Sequence, residues 1–85
     1  EAVKNFQKTT MELATRSLDA VPPSQRDIST MTMNIDAETL GDLKIMVREF
    51  QENVAKLVEN APKSDRVYHL NMQLFPLSRL PDNTP

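Results

Sequence analysis

Leu40, Leu43, Val47, Phe50, Val54, Leu57 and Ala61 recur three and four residues apart without a break. That spacing returns a side chain to the same face of an α-helix at every turn. Met46 and Val58 widen the stripe, and Glu49, Glu52 and Lys56 fall off it. Asp36 stands where an N-cap belongs, and Glu38 complements the positive end of the helix. Pro62 has no amide donor and ends the pattern. The spacing therefore predicts a helix of about 24 residues, from 37 to 60, roughly 36 Å long. Gly41 costs helix stability near its start and is expected to allow a close backbone approach.

The rest of the chain is arranged around this helix. Residues 2–20 read as an earlier helix, with Val3, Phe6, Thr10, Leu13 and Ser17 on a thin stripe beside Ala14, Leu18 and Val21. Pro22 and Pro23 stop it, and Ser24 to Asp27 is a polar link. Residues 28–35 alternate as a strand would. Ser29, Met31, Met33 and Ile35 share one face, and Ile28, Thr30, Thr32 and Asn34 share the other. After the turn at 63–65, residues 67–77 alternate again. Tyr68, Leu70, Met72 and Leu74 oppose Val67, His69, Asn71, Gln73 and Phe75. The end of the chain, 78–85, reads as a loose polar tail.

The expected fold class is α+β or α/β: a small α-β-α-β module with two strands joined by the long amphipathic helix. The helix is long enough to return the chain across a whole strand, which favours a right-handed parallel crossover. Two strands alone make a poor sheet with open edges, so a second copy is expected to complete it. Residues 1–21 form the preceding helix, 22–77 the βαβ module and 78–85 the flexible tail. Met31, Met33, Met46 and Met72 are expected in the core.

Composition limits function more than fold. The ten Lys and Arg residues are interleaved with twelve acids for a net charge of −2, and nucleic-acid binding needs a concentrated cationic face. No direct nucleic-acid contact is expected. No apolar run approaches a membrane span and no signal peptide opens the chain, so a cytoplasmic location is expected. There is no cysteine, and His69 is the single histidine. Neither a disulfide framework nor a structural zinc site fits that inventory, and no cofactor is expected. A start at Glu1, inside a helical pattern with no cap before it, reads as a fragment or processed product.

The densest polar cluster is Asp65, Arg66, Tyr68 and His69. It reads either as a small anion site or as a turn leading into an exposed strand face. The latter is favoured because no nucleophile, second acid or metal set accompanies it. His69 would need an orienting partner to act as an acid or base. Asp36, Glu38 and Asp42 resemble a cation site only in charge, and capping explains them. With one glycine there is no phosphate loop, and no nucleophile has an identifiable base nearby. Catalysis is not expected. Thr30, Thr32, His69, Asn71 and Gln73 could form one polar sheet surface, read either as solvated or as an interaction face.

Two stretches carry a family resemblance. Arg26-Asp27-Ile28-Ser29-Thr30-Met31-Thr32-Met33 follows Pro22-Pro23. Asp65-Arg66-Val67-Tyr68-His69-Leu70-Asn71-Met72-Gln73-Leu74-Phe75-Pro76-Leu77 follows the long helix. This order resembles the C-terminal domain of unknown function of a bacterial paralogous family of helix-turn-helix transcriptional regulators. The resemblance covers residues 22–77, and its second block is the more specific. It implies a DNA-binding domain upstream in the parent protein and supplies no catalytic residue or ligand. The function expected is a non-catalytic dimerisation or effector-response module, a homodimer in solution. The alternative is a heterologous protein- or ligand-binding domain using an open sheet edge.

Overall fold

A computed structural model describes residues 1–79. The element order is helix α1, Ala2–Ala20, a 3₁₀ turn at Pro23–Gln25, and helix α2, Ala37–Glu59. Both helices lie where their periodicity puts them. The Asp36 carboxylate accepts from the Thr39 amide at 2.8 Å, occupying one of the donors a helix start leaves open. That bond holds the Asp36 carboxyl below its ordinary pKa. At the other end the Asn60 amide side chain donates to the Lys56 carbonyl at 2.8 Å.

The thin stripe of α1 is interrupted by hydroxyls that satisfy themselves. Thr10 Oγ1 donates to the Gln7 carbonyl at 2.8 Å, and Ser17 Oγ donates to Ala14 at 2.6 Å. A helical Ser or Thr that bonds back to its own turn can face inward without an unsatisfied donor. Thr10 does so at 6 % exposure. At the end of α1, Arg26 folds back. Its Nε donates to the Val21 carbonyl at 2.9 Å and its Nη2 to Leu18 at 3.3 Å. A guanidinium suits this place, where unpaired carbonyls carry partial negative charge.

The expected sheet is overturned. Among the described residues there is no strand, so the chain is not an α-β-α-β module. Residues 26–36 and 62–79 are irregular, and no backbone hydrogen bond joins 27–35 to 62–79. The reason lies in what occupies the two faces of the second segment. His69, Asn71 and Gln73 lie along α1, while Leu70 and Met72 lie along α2. The alternation is real, but it sorts side chains between two helices. It does not pair two strands.

The register confirms this wedge. His69 meets Phe6 and Asn71 meets Thr10. Four residues of helix advance about 6 Å and two extended residues about 6.6 Å, so one helical turn matches each pair of segment residues. Leu70 lies near Val54 and Val58, and Met72 receives Gln51 Nε2 at 3.9 Å. The segment thus runs with α1 and against α2. The helices themselves do not pack directly on each other.

The second correction concerns the core. No hydrophobic side chain among the described residues is buried, and Met31 is 81 % exposed. Met33, Met46 and Met72 are exposed as well, against their expected core placement. The Cα radius of gyration is 16.0 Å, where a compact domain of this length has about 12 Å. Gly41 is also corrected. A Cβ built there meets nothing within 4 Å, so no close approach explains it. Most of the tail assigned to 78–85 lies outside the described residues.

Candidate functional site

The residues singled out from sequence do not gather on one surface. Thr30 and Thr32 are exposed on the first irregular segment. His69, Asn71 and Gln73 are on the second segment, turned toward α1. The sheet that would have set them side by side is missing among the described residues. Ile28, not a threonine, comes near the second segment. It lines an open groove with Leu18, Gln73 and Phe75.

Asn71 has the firmest position of the five. Its Nδ2 donates to the Thr10 carbonyl at 3.0 Å, and the side chain is half-buried. The Thr10 carbonyl is mid-helix, so Asn71 adds a second donor to an acceptor with two lone pairs. Below it His69 meets the Phe6 ring edge-on, with centroids 6.3 Å apart and planes at 68°. This is the geometry aromatic quadrupoles favour. No side-chain hydrogen bond orients His69 among the described residues, and its position is that of a docking contact. Asn71 and His69 together fasten the second segment to α1.

The polar cluster makes two sets of contacts. Arg66 Nε pairs with Asp65 Oδ1 at 2.9 Å in an exposed, sequence-adjacent bridge. Asp65 first, and Tyr68 after it, raise the Arg66 pKa above its ordinary value. Tyr68, beside Arg66, also donates its hydroxyl to the Gln25 carbonyl at 2.8 Å, across 43 residues of sequence. This bond ties the second segment to the 3₁₀ turn beyond α1. Among the described residues no three His, Asp or Glu side chains converge where a metal ion could be held. No helix there is long and apolar enough to cross a membrane.

Two residues that matter to this arrangement were not apparent in the sequence. Thr10 looked like a flaw in the α1 stripe, yet it is the buried point against which Asn71 closes. A threonine at a stripe position is itself the available signal, since its hydroxyl can bond to the preceding turn. Arg26 looked like part of a polar link, yet it closes the end of α1. Its signal is a cation shortly after a proline-terminated helix.

One flank of α2 exposes apolar side chains. Met46 is 63 % exposed, Phe50 50 % and Leu57 74 %, all on one flank of α2. Leu70 and Met72 touch a different flank, through Val54, Val58 and Gln51. The apolar face of α2 is therefore wider than the chain itself covers.

No curated protein and no solved structure matches the chain. The family model described as domain of unknown function DUF4423 matches residues 1–77, through α1, both irregular segments and α2. The chain belongs to the DUF4423 family, a domain of unknown function.

Proposed function

We propose that this chain is a non-catalytic association module, the dimerisation part of a transcriptional regulator whose DNA-binding domain lies upstream. The carrying observation is uncovered surface. The chain exposes 8466 Å², where a compact monomer of its mass exposes about 5,100 Å². The difference, about 3,300 Å² per chain, exceeds what each copy gives up in an ordinary obligate dimer. Large contiguous apolar patches on a soluble chain mark contact surfaces.

The regulator half of the reading rests on the resemblance of residues 22–77, with its two blocks around a long helix. A mixed charge pattern with net −2 fits a part that leaves DNA contact to another domain. A two-fold dimer would match the symmetry of a palindromic operator. Light scattering on the 85-residue chain at micromolar concentration tests the association. The expected mass is twice 9.7 kDa, and a strict monomer overturns the reading.

A further inference from the structure

Resting on that association reading, we infer that a second copy of this chain docks on α2, the two α2 helices pairing antiparallel across a two-fold axis near Gln51 and Glu52. The exposed flank of α2 has its own spacing. Half-buried Leu43 and exposed Met46, Phe50, Asn53, Leu57 and Asn60 alternate three and four residues apart, the repeat of a two-helix seam. This seam is distinct from the flank that Leu70 and Met72 occupy. It runs roughly 25 Å. The uncovered area exceeds the roughly 1,000 Å² that each copy contributes to a small obligate dimer.

Charge selects the orientation. Along the open edge of the seam lie Asp42, Glu49 and Lys56; along the other edge lie Leu40, Val47 and Val54. A parallel pair would set Glu49 against the partner's Val54, on the edge its own chain already shields with Leu70. An antiparallel pair sets like edges together. One register then puts Glu49 beside the partner's Glu49, a repulsion at the axis that offsets part of its two Asp42–Lys56 attractions. The other puts Glu49 beside the partner's Lys56, twice by symmetry. It also sets Leu57 against the partner's Met46 and Phe50 against the partner's Asn53. Glu49 and Lys56 are exposed, and the ion pair among the described residues is Asp65–Arg66, not either of these. Asn53, set against the partner's Phe50, lowers the stability of the pair, so charge and not Asn53 chooses the register.

The test uses the 85-residue chain in sedimentation equilibrium, with helix content followed by circular dichroism. Lys56→Glu turns two attractions into two repulsions, and the dimer dissociation constant should rise about tenfold. Glu49→Lys together with Lys56→Glu should return it to within about twofold. Phe50→Asp should give monomer. If that variant loses its helix content, the charge exchange at exposed positions decides alone. The chain has no cysteine, so single replacements report geometry. Glu49→Cys mixed with Lys56→Cys should form the mixed disulfide on oxidation. Self-linkage of Leu57→Cys would mark a parallel pair and overturn the inference. So would a dimer whose affinity none of these variants moves, while leaving the association reading standing. A monomeric parent chain overturns both.

Discussion

Replacing Asn71 probes the joint that holds the second segment on α1. Its Nδ2 reaches the Thr10 carbonyl at 3.0 Å from a half-buried position. Asn71→Ala removes one hydrogen bond and leaves the carbonyl with its helical donor, a loss of about 1 kcal/mol. Asn71→Asp keeps the size but turns a donor into an anion facing a carbonyl oxygen. That change should cost more, about 2 kcal/mol, because a partly desolvated charge loses its partner and meets a negative one. For a domain this small, each kcal/mol lowers the melting temperature by roughly 4–8 °C. The chain hides only about 40 % of its unfolded surface, against about 60 % for a small compact domain, so little stability stands in reserve. Thermal and urea unfolding followed by circular dichroism measure the order wild type, Ala, Asp. Lower pH should narrow the gap between Asp and Ala as the introduced carboxylate takes up a proton. Hydrogen exchange should quicken at the Ala14 amide, one turn beyond Thr10. If Asp is tolerated as well as Ala, or neither replacement lowers the transition, the joint is not where the segment is held.

Three other outcomes follow from the helix ends and the single glycine. Asp36 has a folded pKa below its ordinary value of 3.8, so its capping contribution is full above that pH and is lost as pH falls through the lowered value. Asp36→Asn keeps a capping oxygen without titrating, so an acid titration of helix content should be flatter for it than for the parent. Arg26→Ala frees the Val21 and Leu18 carbonyls and should cost about 1–2 kcal/mol by urea unfolding. Arg26→Lys should recover only part of this, because a point charge cannot reach two carbonyls as a fork does. Gly41→Ala meets open space in a helix and should stabilise by about 0.5–1 kcal/mol. A decrease would mean that something approaches Gly41 in the assembled protein.

Both helices were legible because their determinants are local. A three-four apolar spacing, an Asp at 36 and prolines at 22, 23 and 62 act within a few residues of themselves. The spacing predicts helices over 2–20 and 37–60, and the helices occupy Ala2–Ala20 and Ala37–Glu59. The second segment was half legible. Among the described residues there is no strand. Of the face given to Tyr68, Leu70, Met72 and Leu74, Leu70 and Met72 meet α2 while Tyr68 bonds to Gln25. The polar face set aside for solvent or a partner turns to α1, through Asn71 and His69. Alternation reports an extended backbone and is silent about what stands beside it.

By itself, then, the sequence determined two amphipathic helices, the capped start of α2, the prolines that follow both helices, and an inventory without cysteine or a clustered cationic face. Tertiary structure decided where the irregular segments go. It set residues 68–73 against α1, the 3₁₀ turn and α2 rather than pairing them as a strand with 28–35, through contacts to Thr10, Gln25 and Gln51 that depend on distant parts of the chain meeting. It also decided how much apolar surface stays open. Hydrophobic spacing shows which residues seek cover, while the cover itself depends on which faces the folded chain can bring together. On α2 that leaves Met46, Phe50 and Leu57 facing outward.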